Sequence, residues 1–383
     1  MSVTAAKGFR ASGVKAGIKA SGNHDLALVI NDGPDKVAAG VFTRNRFQAA
    51  PVQWSMQCVA DGRIDAVLLN SGGANACTGP QGFTDTHRSA EHVAATLQIS
   101  AGDVAVCSTG LIGELLPMDA LLAGVNSAWQ SLSVEGGADA ALAIMTTDTK
   151  PKTAVVQSGG FVVGGMAKGA GMLAPGLATM LVVITTDAVI AKGDLETATR
   201  SAVSTTFERI DSDGCMSTND TVLVLSSGAS GVTPTNEEFE TALNEVCADL
   251  ARQLIGDAEG SSKDIRIDVI NAVSSDDAVD VARSISRSNL LKCAIHGEDP
   301  NWGRVLAAAG TTQAVFDPDR VSVAINGVWV CRNGAPDADR SLVSMTQREV
   351  VITVDLAAGA DEASLWTNDL TSEYVYENSA YSS

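Results

Sequence analysis

The chain has 383 residues, of which 45% are hydrophobic and 19% charged, a balance typical of a globular protein with a sizeable core. Acidic residues outnumber basic ones by 45 to 26, and the resulting net charge of −19 argues against a nucleic-acid-binding surface. No apolar run reaches the ~20 residues that a membrane helix needs, and the first residues lack a signal-peptide pattern. We therefore expect a cytoplasmic protein without membrane contact.

Cysteine and histidine spacing predicts neither a disulfide framework nor a metal site. The seven cysteines are scattered without a repeated Cys-x-x-Cys, so we expect reduced, buried thiols. The four histidines form no His-Glu-x-x-His pattern, which leaves a hydroxyl nucleophile with another base as an alternative to histidine-based catalysis.

Short apolar runs separated by turn residues predict strands in the first 70 residues, at positions 16–19, 25–30, 38–45 and 66–69. The last run leads directly into residues 70–82, which are rich in glycine, serine and asparagine. This composition fits a binding loop or an ordinary connection. A helix is predicted from Thr84 to Leu97.

A predicted strand from Val104 to Cys107 leads into Ser108, Thr109 and Gly110. A Thr-Gly pair at a strand end can offer a hydroxyl and a backbone N–H to a developing negative oxygen, as in an oxyanion hole. A simple glycine turn is the other interpretation. Further on, residues 146–150 (TTDTK) follow a predicted helix end and have the composition of a cap or turn.

The central segment, residues 164–187, changes from small residues to the apolar run Met180 to Ile184. The run predicts a buried strand, and the preceding residues predict a flexible loop that enters the core at Thr179. Lys168 is the one cation of the segment. It is either solvated or placed to bind a substrate carboxylate.

Thr179 is either the first, β-branched residue of this strand or a nucleophile. Attack of its hydroxyl on the Ala178 carbonyl would cut the chain and give Thr179 a free α-amine. Because an α-amine titrates at about 7.7 to 8.0, it can serve as the base for the hydroxyl of the same residue. Spacing alone does not decide between the two interpretations.

The C-terminal half predicts helices at 198–207, 235–255 and 275–291 and strands at 221–226, 265–270 and 350–356. A polar loop with Asp213, Asn219 and Asp220 precedes the strand at 221–226, and its composition favours a structural role. Asn326-Gly327 predicts a hairpin. By composition, Glu259 belongs to a surface turn and residues 374–383 to a frayed tail.

Several long motifs resemble the ornithine acetyltransferase family, the glutamate N-acetyltransferases of arginine biosynthesis. They are residues 168–172 (KGAGM), 173–181 (LAPGLATML), 185–188 (TTDA) and 296–310 (HGEDPNWGRVLAAAG), and the similarity covers essentially the whole chain. The resemblance implies an α+β fold of layered sheets sandwiched between helices, of the ornithine acetyltransferase/DmpA-like type. It also implies self-cleavage between Ala178 and Thr179 into chains 1–178 and 179–383, and a dimer of cleaved protomers, a heterotetramer.

The resemblance assigns roles to single residues. It makes Thr179 the nucleophile and acetyl acceptor, with Thr109 and Gly110 as oxyanion donors in the 1–178 chain. Its substrate-binding residues correspond to Thr146 (with Thr147 as the alternative), Lys168, Thr179, Glu259, Asn378 and Ser383.

The expected reaction is ping-pong acetyl transfer from N-acetylornithine to glutamate without a cofactor. Acetyl-CoA is left open as a second acetyl donor, and so is a specialised acetylated amine as substrate. An N-terminal-nucleophile amidohydrolase or aminopeptidase would use the same cleavage but pass the acyl group to water. A non-catalytic small-molecule-binding protein would keep an intact chain.

Overall fold

The structure is a computed structural model that describes residues 2–174 and 180–380. Within these residues the chain forms two compact units. Unit 1 comprises residues 2–208 and 215–257, and unit 2 comprises residues 209–214 and 258–380. Ala178, Thr179 and Ser383 lie outside the described residues.

Unit 1 is built from two sheets and the helices that cover them. Its strands are β1 (Phe9–Val14), β2 (Leu26–Asn31), β3 (Val37–Phe42), β4 (Ala66–Ser71), β5 (Val104–Thr109), β6 (Lys152–Ser158), β7 (Phe161–Lys168), β8 (Leu181–Thr186) and β9 (Thr221–Ser226). Its helices are α1 (Ala50–Cys58), α2 (Gly79–Leu97), α3 (Met118–Gln130), α4 (Gly137–Ala143), α5 (Lys192–Thr205) and α6 (Asn236–Gly256).

The two sheets of unit 1 pack face to face between layers of helices. The first has the strand order β1-β2-β4-β5 and the second β3-β9-β8-β7-β6. Val67 and Leu69 of the first sheet share a core with Val183 and Leu223 of the second. Helices α2 and α3 cover the outer face of the first sheet, while α5 and α6 pack on the second. Both sheets are buried on both faces, which explains the continuous apolar runs of β4 and β8.

Unit 2 has one sheet with helices on one face. Its strand order is β13-β12-β11-β14-β10-β15. The strands are β10 (Asp264–Ala272), β11 (Ser322–Ile325), β12 (Val328–Arg332), β13 (Ala335–Pro336), β14 (Glu349–Asp355) and β15 (Asp361–Asn368), and the helices are α7 (Ser275–Ser286), α8 (Asn289–His296), α9 (Trp302–Ala309) and α10 (Ser372–Ala380). Alternate residues of β10 are buried against α7, as expected for a half-covered sheet.

The α+β class and the layering of sheets between helices are confirmed. Local signals also predicted several elements well. Helix α6 begins after Thr235, whose side chain forms a capping box with Glu238. The Asn326-Gly327 hairpin has the positive φ angles of 47° and 81° that a type I′ turn requires.

Three sequence expectations about secondary structure outside the central segment 164–187 were wrong. Residues 16–19 form a loop, because the backbone N–H groups of this segment donate to the carboxylate of Asp25 at 2.6 to 3.0 Å. The helix predicted over 275–291 is two helices, since the Ser288 side chain caps a new one by accepting from the Leu291 N–H. The tail predicted to fray is helical through Ala380.

The glycine-rich segment before Lys168 was expected to be a flexible loop but is strand β7. Its glycines are needed for close packing. A Cβ on Gly164 would lie 2.3 Å from the Ser2 carbonyl oxygen, and one on Gly165 would lie 3.0 Å from Leu250 Cδ1 of α6. The small residues therefore let β7 pass between neighbouring elements inside the core.

Candidate active site

The Thr109-Gly110 pair stands at the C-terminal end of β5, where the chain packs against the loop after β4. Thr109 is buried, and its carbonyl accepts from the Gly72 N–H at 2.9 Å. Gly110 has φ +129°, and a Cβ there would lie 2.6 Å from Gly73 N. Only glycine fits this position without backbone movement.

Lys168 ends β7 beside the same pair. Its side chain is buried, and Nζ donates to Thr109 Oγ1 at 3.1 Å. In the sheet, Lys168 is paired with Leu181, which lies two positions after Thr179 in the sequence. The structure thus brings Thr109, Gly110, Lys168 and the start of β8 to one end of unit 1.

The Lys168 bond determines how the Thr109 hydroxyl can act. An ammonium group has donors and no acceptor, so Thr109 Oγ1 must be the acceptor in this contact. The hydroxyl hydrogen of Thr109 is then left to donate to another group. The adjacent positive charge polarises the hydroxyl and strengthens such a donation.

The Thr146–Thr149 segment is joined to this region through Asp148. The Asp148 carboxylate accepts from the Thr146 N–H at 2.9 Å, the Gly169 N–H at 2.7 Å and Lys152 Nζ at 2.5 Å. Because Gly169 follows Lys168 directly, Asp148 fixes the Thr146 backbone relative to the end of β7. Thr146 itself is half-buried.

Buried charges continue behind Asp148. Lys152 Nζ lies 2.6 Å from Asp257 Oδ2, and both lysine contacts are almost completely shielded from solvent. Asp257 also accepts from the Thr149 N–H at 3.0 Å. With both lysines protonated and both carboxylates ionised, this group has no net charge. The positive charges of Lys168 and Lys152 balance the negative charges of Asp148 and Asp257. The sequence analysis missed the Lys152–Asp257 pair, because the two residues lie 105 positions apart.

The Asp148 carboxyl is held in its charged form. Burial alone would raise its pKa, but the charges of Lys168 and Lys152 and the hydrogen bonds from Gly169 and Lys152 lower the pKa to about 2. A folded pKa below the unfolded value stabilises the protein above the unfolded pKa. That stability is lost as the pH falls through the unfolded value towards about 2.

Asp148→Asn is therefore expected to remove roughly 2 kcal/mol of unfolding free energy at pH 6 through this carboxyl. The difference in unfolding free energy between Asp148→Asn and wild type should narrow as the pH falls from about 5 towards 2. Urea unfolding at several pH values measures it. Asp139→Asn, which removes an exposed carboxylate of α4, is the control for the loss of one negative charge. A pH-independent gap for Asp148→Asn would contradict the assignment.

Glu259 and Asn378 of unit 2 contact each other. Asn378 Nδ2 donates to Glu259 Oε2 at 2.9 Å and to the Tyr374 carbonyl oxygen at 3.0 Å. A Cβ on Gly260, which has φ +61°, would lie 2.2 Å from Tyr374 N, so the turn at 259–260 packs closely on α10. The resemblance placed both residues in substrate binding, and the structure brings them together within unit 2.

A Ser-His-Asp cluster in unit 2 does not have the geometry of a catalytic relay. His296 Nδ1 lies 2.9 Å from Asp369 Oδ2 and 3.2 Å from Ser262 Oγ, and Ser262 also bonds Asp369 directly. A relay requires the hydroxyl and the carboxylate on opposite ring nitrogens. Here the same nitrogen faces both groups, so the cluster fixes the start of β10 against the end of β15.

Residues 2–174 and 180–380 contain neither a candidate metal site nor a candidate membrane-spanning helix. No group of three or more His, Cys, Asp or Glu side chains there could hold a metal ion. Over the same residues, no helix has both the length and the apolar character needed to cross a membrane.

Fold and site together define a layered α+β protein in which a hydroxyl, a glycine and a buried cation meet at strand ends. Such donors are suited to an oxygen that becomes negative during acyl transfer. The chain belongs to the ArgJ family, whose model matches residues 10–383. The resemblance to the ornithine acetyltransferase family is thereby confirmed.

The family assignment agrees with individual relatives. The chain is similar to the "Arginine biosynthesis bifunctional protein ArgJ" of Streptomyces avermitilis, with 66% identity over 383 residues and 100% of both chains covered. It is 61% identical over 382 residues to the protein of the same name from Thermobifida fusca, again with 100% of both covered.

Solved structures related to this chain include ornithine acetyltransferase complexed with ornithine from Mycobacterium tuberculosis. It is 56% identical, has a TM-score of 0.43, and the match covers 47% of this chain and 96% of that one. A Bacillus halodurans arginine biosynthesis bifunctional protein is 34% identical, with a TM-score of 0.48 and coverage of 51% and 97%.

Proposed function

We propose that this chain is an acyltransferase of arginine biosynthesis that moves the acetyl group of N-acetylornithine to glutamate through an acetyl-enzyme on Thr179. Membership in the ArgJ family and relatives named for arginine biosynthesis support acetyl transfer. They do not favour the N-terminal-nucleophile hydrolase, whose acyl acceptor is water.

The observation that carries the proposal is the hydrogen bond from Lys168 Nζ to Thr109 Oγ1 at the buried strand ends next to β8. Because Thr109 Oγ1 accepts this bond, the hydroxyl hydrogen of Thr109 remains to donate. The backbone N–H of Gly110 is proposed as the second donor of the oxyanion hole. Two such donors would bind the oxygen of the tetrahedral intermediate formed when Thr179 attacks the acetyl carbonyl.

In the first half-reaction the Thr179 hydroxyl attacks the acetyl carbonyl, and its proton passes to the Thr179 α-amine. The C–N bond to ornithine then breaks, and the departing nitrogen receives that proton. In the second half-reaction the α-amine of glutamate attacks the acetyl ester, and Thr179 regains its hydroxyl. The proposed contacts to substrate polar groups are Thr146, Lys168, Glu259, Asn378 and Ser383.

The proposed cycle requires no cofactor. Acetyl-CoA is proposed as a second acetyl donor, because the relatives are named bifunctional. We further propose cleavage into chains 1–178 and 179–383, assembly as a dimer of cleaved protomers, and a cytoplasmic location. All seven cysteines lie in the described residues and none forms a disulfide, which supports a reducing compartment. The expectation of buried thiols holds for Cys58, Cys107, Cys247 and Cys331 and is wrong for the exposed Cys77, Cys215 and Cys293.

The sheet of unit 1 explains why the two fragments would stay together. Strands β8 and β9 of the second fragment lie between β3 and β7 of the first in one five-stranded sheet. Separating the fragments would break the β3–β9 and β7–β8 ladders and expose both sheet faces. A denaturing gel should therefore show two bands where size exclusion shows one species.

The reaction is tested by acceptor dependence. Purified protein is mixed with N-acetylornithine, and ornithine release is followed with and without glutamate. Sustained turnover should require glutamate, with N-acetylglutamate formed in equal amount. Steady turnover without any amino-acid acceptor would overturn the transferase and favour the hydrolase.

Lys168→Met is expected to reduce kcat/KM by about one to two decades, since a charge-assisted hydrogen bond contributes about 1.5 to 3 kcal/mol. Methionine keeps the length of the buried stem but loses the donors. Lys192→Met, at an exposed position of α5, is the control. Wild-type kinetics for Lys168→Met with both substrates would show that its charge has no role in the reaction.

A further inference from the structure

The loop before β9 is tied to both parts of the candidate site. We propose that Asn219 and Asp220 form a clamp, here the 219–220 clamp, that sets the position of Thr179 relative to the Thr109-Gly110 pair. Both are positioning residues that act through Met180 and Ser108. The inference rests on the proposed function, because it assigns a role in the reaction attributed to Thr179.

On the Asp220 side of the clamp, both the backbone N–H and the carbonyl oxygen of Met180 are hydrogen-bonded. Asp220 Oδ1 accepts from the Met180 N–H at 3.1 Å, and the Thr221 N–H donates to the Met180 carbonyl oxygen at 3.1 Å. Met180 N is the atom covalently bonded to the carbonyl carbon of Thr179. A group that fixes this nitrogen therefore fixes the attachment point of the proposed nucleophile.

The Asn219 side holds the oxyanion element. Asn219 Nδ2 donates to the carbonyl oxygens of Ser108 at 2.8 Å and Ala74 at 2.6 Å. Ser108 directly precedes Thr109, and Ala74 belongs to the loop on which Gly110 packs. Two adjacent residues thus join the end of β5 to the start of β8.

The 219–220 clamp is held in place by hydrogen bonds between residues 217–220 and the chain at Thr43 and Ala49. The Thr43 N–H donates to the Asp220 carbonyl oxygen at 3.0 Å, and Thr43 Oγ1 donates to the Ser217 carbonyl oxygen at 2.7 Å. The Ala49 N–H donates to the Thr218 carbonyl oxygen at 2.9 Å. Asn219 and Asp220 are 3% and 0% exposed, so solvent does not compete for these bonds.

The clamp uses one oxygen of the Asp220 carboxyl, the Oδ1 that accepts from Met180. Asp220 Oδ2 is buried and has no hydrogen-bond partner among the residues that the structure describes. Burial raises its pKa well above the usual range, although the Met180 N–H, the Ser217 side chain and the charge of Lys168 favour the charged form.

The clamp matters because transfer between Thr179 and an oxyanion hole depends on their separation. A misplacement of about 1 Å can cost about 10²-fold in rate. Loss of the Asp220 acceptor frees the Met180 N–H, and loss of the Asn219 donors frees the Ser108 carbonyl. Either change should reduce kcat while leaving substrate affinity, and therefore KM, nearly unchanged.

The test compares Asp220→Ala, Asp220→Asn and Asn219→Ala with the control Thr185→Val. Asparagine keeps the acceptor for Met180. Thr185→Val removes a buried hydroxyl of β8 that donates to the carbonyl oxygens of Val3 at 2.7 Å and Gly164 at 3.4 Å. Melting temperature, the rate of chain cleavage by intact mass, and kcat and KM are measured for each. If Asp220→Ala does not fold, Asn219→Ala decides the outcome.

We expect Asp220→Ala and Asn219→Ala to lose about 10²-fold in kcat at unchanged KM. Cleavage of these two variants should slow in parallel. Asp220→Asn and Thr185→Val should stay within about threefold of wild type. The proposal is overturned if the alanine variants match Thr185→Val in kcat at equal loss of melting temperature. Failure of wild type itself to cleave or transfer would instead refute the proposed function.

Discussion

Thr179→Val is expected to remain one uncut chain without acetyl transfer, whereas Thr179→Ser should still cleave and retain activity. Valine is close to threonine in shape and suits a strand, so a purely structural Thr179 would tolerate valine better than serine. A nucleophilic Thr179 reverses that order, because valine lacks the hydroxyl and serine keeps it. Intact mass after denaturation and the acceptor-dependence assay measure both properties.

Thr185→Val is the matched control for this experiment. It makes the same substitution inside β8, six positions after Thr179 in the sequence, and removes the buried Thr185 hydroxyl that donates to the Val3 carbonyl. It should cleave and turn over like wild type. An active, uncut Thr179→Val protein would contradict the mechanism, and equal loss of activity in Thr185→Val would assign the effect to folding.

The second large effect is expected for Thr109→Val, which should lower kcat by about 10²- to 10³-fold with little change in KM. The substitution keeps the shape of the side chain and removes the hydroxyl that accepts from Lys168 and donates to the proposed oxyanion. Thr109→Ser keeps this hydroxyl and should retain most of the rate. Ser55→Ala removes a buried hydroxyl that bonds Val106 in the same strand, and it controls for loss of stability. A Thr109→Val enzyme with wild-type kcat would refute the oxyanion role.

Local sequence patterns predicted the elements whose cause is local. The helix predicted over 235–255 and the Asn326-Gly327 hairpin depend on signals from neighbouring residues, and the structure confirms both. Strand β7 was missed because its glycines, which normally suggest a loop, are required by contacts with Ser2 and with helix α6. The loop at 16–19 was missed for a similar reason, since a carboxylate several residues away binds its N–H groups.

The candidate site was predictable by resemblance more than by spacing. Nothing in the local sequence shows that Lys168 bonds Thr109, 59 positions earlier, or that Asp148 is shielded between two lysines. Composition favoured a structural role for the loop that contains Asn219 and Asp220. It did not indicate their contacts with Ser108 and Met180, because only the fold brings these residues together. Buried polar groups act through partners that are distant in sequence, and periodicity does not indicate them.

Thr179 is expected to carry the acetyl group between the two half-reactions. Wild-type protein is mixed with N-acetylornithine in the absence of glutamate, quenched in acid, and weighed by mass spectrometry. We expect one acetyl group on a fragment that begins at Thr179, and we expect it to disappear when glutamate is added before the quench. A fragment that stays unmodified while ornithine is released, or an acetyl group mapped to another residue, would contradict the account.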